Sequence, residues 1–113
     1  MHEIGVLIQA IKLAEQVATE NQFSRVKFIT LEIGELTGYL PVFFEKYFPV
    51  VIEDRPLMKD AKLHMKIVSG EALCSDCNAL FNVMKHEGIC PECRSRNKKI
   101  IGGMDFIVKD VGF

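Results

Sequence analysis

Cysteine is the residue type most able to do chemistry in this chain, and all of it is concentrated between residues 74 and 93. The cysteines form two pairs, Cys74-x2-Cys77 and Cys90-x2-Cys93, with twelve residues between them. Two residues between cysteines let a tight turn aim both sulfurs at one point about 2.3 Å away. Two such turns facing each other complete a tetrahedron, which suits Zn2+ because a d10 ion imposes no other geometry. A single iron on four thiolates fits the same spacing and stays open. Redox pairs or free core thiols are the plainer alternatives, against which the paired spacing counts. Pro91 stiffens the second turn, and Gly88 eases the approach to it. Four protein ligands leave no open coordination position, so the site reads as structural.

His2 offers a different chemistry. With the start methionine retained, the Met1 amine, the His2 backbone nitrogen and the His2 imidazole can close adjacent chelate rings on one ion. Three nitrogens in a plane leave one in-plane position, which the Glu3 carboxylate or another donor can fill. Tetragonal N,O surroundings suit Ni2+ or Cu2+, with Cu2+ the tighter by raw affinity. The nitrogens must be deprotonated, so such binding weakens as pH falls. The plain alternative is a frayed terminus whose histidine does nothing. Spacing alone does not separate the two.

The other candidates read as structure. His64 falls on the polar face of a strand pattern, and His86 lies between cysteine pairs that already suffice for a metal. Arg94, Arg96, Lys98 and Lys99 form a basic run, a solvated face or a docking patch for an acidic partner. A nucleic-acid zinc ribbon would use such a run to track phosphates. A net charge of -1 and the lack of interleaved aromatics argue against that use. Glu32 and Glu35 have no nucleophile or phosphate loop beside them, and no GxxxxGK[ST] motif is present. These absences point away from an enzyme.

The elements that must position these residues fit a short chain: 113 residues suffice for one domain, or one with a small appendage. A composition of 49% hydrophobic and 26% charged residues excludes a wholly disordered chain. No apolar run is long enough for a membrane span. Met1-His2-Glu3 carries no basic region or cleavage site, so no signal peptide is read and a cytoplasmic place is expected. That reducing setting favours thiolate metal binding over disulfides.

Helical periodicity runs from Ile4 to Glu20, with Gln9, Lys12, Gln16 and Thr19 on one polar stripe and a wide apolar remainder that includes Leu13. Asn21 is a plausible stop. Residues 25–33 read as a strand with Ile29, Leu31 and Ile33 on its buried face. Gly34 and Gly38 bracket a turn, and Pro41 opens a second helix over Val42 to Ile52 that Pro49 should kink or shorten. Leu63, Met65 and Ile67 mark a second strand, and Leu80 to Val83 a strand piece within the cysteine module. Lys98 to Ile101 and Asp105 to Val111 are further strands separated by Gly102-Gly103. The architecture is α+β, with a metal-held excursion inserted before the last strand.

Met1-His2-Glu3 opening a helix, then Leu31-Glu32-Ile33-Gly34-Glu35-Leu36, then the cysteine quartet, resembles the HypA/HybF nickel-insertion family. The tail Ile101-Gly102-Gly103-Met104-Asp105-Phe106 is similar to that family's ending, and the likeness covers nearly the whole chain. It implies a nickel metallochaperone that delivers Ni(II) during maturation of the [NiFe]-hydrogenase active site, and of urease as a further recipient. The implied fold has two helices on a small three-stranded sheet, with an inserted four-cysteine zinc-ribbon domain. Residues 1–69 and 102–113 would form the nickel-binding domain and residues 70–101 the zinc-binding domain. The resemblance makes His2, Met1 and Glu3 the nickel ligands, and Cys74, Cys77, Cys90 and Cys93 the ligands of a structural zinc. Its implied partners are a nickel-handling GTPase and a hydrogenase large-subunit precursor, with no nucleic acid or membrane, for a monomer or homodimer. The chain departs from the family pattern at Arg94, where a glycine commonly lets the turn go left-handed, and at Pro49. Neither departure removes a ligand.

Overall fold

The computed structural model describes residues 2–113. It contains two α-helices, a three-stranded sheet of order β2-β1-β6 and a second three-stranded sheet of order β4-β3-β5. The α+β architecture is the expected one. The chain divides into two compact units, one holding residues through Glu32, Tyr39–Lys66 and Ile107–Phe113, the other Ile33–Gly38 and Ile67–Phe106.

In the first unit, α1 (His2–Glu20) buries Glu3, Leu7, Ala10, Ile11, Ala14 and Ala18. The spacing of three and four residues puts these on one stripe. The stripe is narrower than the apolar content suggests: Leu13 lies off it and is 45% exposed. Beyond Glu20, Asn21 returns both its N–H and its side-chain amide to the Val17 carbonyl, but the left-handed residue is Gln22, at φ 61°. α1 packs against α2 (Pro41–Val51) and against a 3-10 turn, Pro56–Met58. Phe44, Phe48 and Met58 join Ile29 and Leu31 of β1 (Phe28–Gly34) among the buried side chains. Pro41 occupies the first turn of α2 as expected. Pro49 does not split the helix; it sits in the last turn, and the helix stops two residues later. A proline so near the end costs one hydrogen bond instead of a propagating break.

β2 (Lys62–Val68) half-buries Leu63 and Met65, whereas Ile67 is 49% exposed. Its other face carries His64, exposed and stacked on Phe28 with ring centroids 5.1 Å apart. β6 (Phe106–Gly112) carries Lys109, which pairs with Glu32 at 3.3 Å. Arg55 binds Glu15 at 2.6 Å and so fastens the α2–β2 connection to α1.

In the second unit, β3 (Glu71–Cys74) is the central strand, antiparallel to both β4 (Leu80–Asn82) and β5 (Lys98–Gly102). The sequence reading missed β3, because four residues are too few to display an alternating pattern. The register jumps from Glu71 opposite Gly102 to Ala72 opposite Ile100, so Ile101 is bulged out and 52% exposed. Ala72, Phe81, Cys74 and Cys90 form the buried cluster of this unit. Three backbone segments of this unit also meet. Gly34 donates to Asp105, Leu36 to Gly103, and Gly70 to the Glu35 carboxylate at 3.0 Å. Gly103 has φ +83°, and a Cβ there would lie 2.6 Å from the Gly70 Cα and the Ser69 carbonyl oxygen. No larger residue fits this crossing without displacing backbone.

Candidate metal centre

β3 delivers Cys74 to the start of the first cysteine turn, which closes by two hydrogen bonds. Asn78 donates its N–H to the Cys74 carbonyl at 3.0 Å, and Cys74 donates its own to Ala79 at 2.8 Å. The second turn repeats the pattern: Arg94 donates to Cys90 at 2.9 Å, and Cys90 to Ser95 at 2.9 Å. Asn78 and Arg94 both have left-handed backbone, with φ 63° and 66°. Asparagine visits that region readily, whereas for a longer side chain it costs about 1 kcal/mol or more. Arg94 therefore makes the left-handed turn that a glycine would make with less strain. The turn does not change form.

The two turns converge. All the cysteine sulfurs lie within 4.8 Å of one another, with Cys74 3.6 Å from Cys93 and Cys77 3.6 Å from Cys90. A tetrahedral ion with sulfur bonds of about 2.3 Å sets sulfurs about 3.8 Å apart, so the cluster fits such an ion. Cys74 and Cys90 are buried, Cys77 and Cys93 exposed.

Thiol acidity follows from the crowding. Burial is the largest influence on Cys74 and pushes its pKa up, but N–H groups of Cys77 and Asp76 and the thiols of Cys93 and Cys77 outweigh it and bring it down to about 7. The Ala79 N–H favours the Cys77 thiolate, yet burial and the thiols of Cys90, Cys93 and Cys74 push it up to about 12. Cys93 is raised as well: the Ser95 N–H acts against the shift, and burial with the Cys74 and Cys90 thiols prevails. One negative charge is accommodated here and further ones are resisted, which is the electrostatic demand that a divalent cation meets.

Outer contacts hold the turns together. Asp76, in the first turn, accepts from Ser95 Oγ and, at 3.2 Å, from Asn97 Nδ2, while Ser75 donates to the Asn97 carbonyl at 2.9 Å. Sequence reading missed these residues, since Ser, Asp and Asn are ordinary turn residues. Asn78 was readable, because asparagine directly after a Cys-x2-Cys pair supplies the left-handed position. His86 is not among the metal-capable group; its ring meets Phe81 edge-on at 6.3 Å.

Of the N-terminal candidates, Met1 lies outside the described residues. His2 is exposed on the first turn of α1. Glu3 is buried, and its Oε2 accepts the Leu40 N–H at 3.1 Å, just ahead of α2. Its own backbone N–H and that of Leu40 hold the carboxyl below the ordinary value. Neighbours in sequence, His2 and Glu3 thus face solvent and interior respectively. Glu35 is engaged too: its Oε1 accepts from Gly70 N–H and from Asn82 Nδ2 at 2.9 Å.

The chain matches, over residues 1–113, the family model described as HypA, hydrogenase/urease nickel incorporation, metallochaperone. It is 32% identical over 111 residues to the hydrogenase maturation factor HypA of Alkalilimnicola ehrlichii, covering 98% of this chain and 97% of that protein. It is 28% identical to the hydrogenase maturation factor HybF of Klebsiella pneumoniae, with coverage of 98% and 97%. Among solved structures, the fold is similar to that of the Ni metallochaperone HypA from Helicobacter pylori, with a TM-score of 0.68, 28% identity, and 99% and 97% of the two chains covered.

Proposed function

Because this chain belongs to the HypA family of hydrogenase and urease nickel-incorporation metallochaperones, we propose that it carries Ni(II) at its N-terminus and keeps a structural zinc at its cysteines. The observation that carries this reading is the division of the candidate ligands: His2 and Glu3 belong to one compact unit and Cys74, Cys77, Cys90 and Cys93 to the other. The cargo ion is taken by the Met1 amine, the His2 backbone nitrogen and the His2 imidazole. Glu3 completes the plane or, through the Leu40 N–H, fixes the turn that presents His2. The site is exposed at His2, and rotation of one side chain opens it. A carrier needs that lability, since an ion held too tightly is not handed over.

Zinc has the opposite task. The sulfurs fit a closed tetrahedral shell, and the ion's charge lets the crowded thiols all ionise. Cys74 and Cys90 then tie β3 to the second turn, which keeps the small second unit folded. The recipients in this proposal are a hydrogenase large-subunit precursor and, as a second client, urease, with a nickel-handling GTPase assisting. The protein acts in the cytoplasm as a carrier, not as a catalyst, and as a monomer or homodimer. Among the described residues, no helix is long and apolar enough to cross a membrane.

The test is a nickel titration of protein with an authentic untagged N-terminus, beside the His2→Ala variant, with zinc quantified in both. One nickel bound per chain, lost in the variant with zinc unchanged, is the expected result. Equal nickel binding by both proteins overturns the N-terminal chelate.

A further inference from the structure

The two cysteine turns share a backbone but differ in what they present. Next to the second turn lies a cavity of about 320 Å3 lined by His86, Ile89, Cys90, Pro91 and Arg94. Arg94 sits there with φ 66°, where the matching residue of the first turn is the better-suited Asn78 at φ 63°. A strained backbone position that carries a long cation is a reason to look for what the cation does. Its N–H closes the turn on Cys90, a task any residue performs. Arg94 is exposed and forms no ion pair with Glu87, Glu92 or any other described acid. The guanidinium is therefore available to a group from outside the chain.

We propose that this cavity binds the carboxylate side chains of an acidic segment on a partner protein. Arg94 supplies a planar fork that takes a carboxylate through two parallel hydrogen bonds. His86, held edge-on by Phe81, is the second polar group of the cavity, and Ile89 and Pro91 give an apolar wall for the methylenes of a glutamate. The cationic surface continues beyond one carboxylate. Arg96 and Lys99 are exposed, and Lys98 donates from Nζ to the Arg96 carbonyl while reaching toward Gly88. An extended acidic segment matches such a run better than a single small anion does. A nucleic-acid strand matches it less well, because Phe81, whose ring meets His86, is buried and offers no face for a base. The proposal is independent of the nickel reading, and its test uses no nickel.

The experiment is fluorescence anisotropy with a labelled octaglutamate peptide on the zinc-loaded full chain, with an octaglutamine peptide as control. Amide chemical shifts locate the site. Expected are saturable binding of octaglutamate alone, shifts centred on Ile89, Cys90 and Arg94, and at least a tenfold weaker affinity in Arg94→Gly. That variant relaxes the turn, so its zinc content and melting temperature should be unchanged or higher. Comparable binding of both peptides, or an Arg94→Gly affinity within twofold of the parent, overturns the proposal. Loss of zinc or a lower melting temperature in Arg94→Gly also overturns it, by assigning the guanidinium to the thiolates. So does tighter binding of a single-stranded RNA oligonucleotide than of octaglutamate.

Discussion

The Glu3 carboxylate, one residue after the exposed His2, accepts the backbone N–H of Leu40 at 3.1 Å. The first turn of α1, which carries His2, is thereby fastened to the start of α2, far away in sequence. In Glu3→Ala, the Leu40 amide should exchange roughly tenfold faster or more in metal-free protein, because its acceptor is gone. Hydrogen exchange read by NMR checks this without nickel. Unchanged exchange at Leu40 would mean that the contact constrains nothing.

Removal of the metal should act on one unit. The buried cluster around the cysteines is small: among the described residues Ala72 and Phe81 join Cys74 and Cys90, with Ala79, Val83 and Ile100 partly buried against them. In the zinc-loaded form proposed above, stripping the metal with a chelator, or making Cys90→Ser, should abolish amide protection in β3, β4 and β5 and leave the α1 amides protected. Exchange mass spectrometry distinguishes this from global unfolding.

Glu35 gives a pH dependence with a defined sign. The Gly70 N–H, then Asn82 Nδ2, hold its carboxyl below the ordinary value of 4.5. A carboxyl lowered by folding stabilises the folded state above its unfolded pKa, and that contribution is lost as pH falls through the lower folded value. The melting temperatures of the parent and Glu35→Gln should differ at neutral pH and draw together as pH falls below 4.5. A constant gap would show that the charge has no part.

Two glycines with similar backbone should respond unequally to a methyl group. Gly38 has φ +80° with open space around its missing side chain, so Gly38→Ala should cost about 1 kcal/mol from backbone strain alone. Gly103 has φ +83° and backbone 2.6 Å from an added Cβ, so Gly103→Ala should cost about 3 kcal/mol. Urea denaturation of both variants checks the order.

The cysteine centre was legible in the sequence because metal spacing is a local property: each turn is complete within a few residues. Ile29, Leu31 and Ile33 were equally readable, since one buried face forces strict alternation. What escaped was set at a distance. Nothing near Glu35 in sequence announces Gly70 and Asn82 as its donors, and nothing near Gly103 announces the Gly70 backbone that forbids a side chain there. The exposure of Leu13 likewise depends on which parts of α1 are covered, not on its own hydrophobicity. Pro49 was read as kinking or shortening α2 because the helix end, which makes it harmless, is decided two residues further on.

Cys74 is both the last residue of the central strand and a member of the sulfur cluster. Neighbouring side chains on a strand point to opposite faces, so β3 paired one residue out of step would swing that sulfur away from the other three. Such a chain could still form hydrogen bonds, but it could not close the four-sulfur shell. Under the zinc reading proposed above, metal capture would work as proofreading, retaining the correctly aligned sheet and leaving slipped alignments free to come apart and try again.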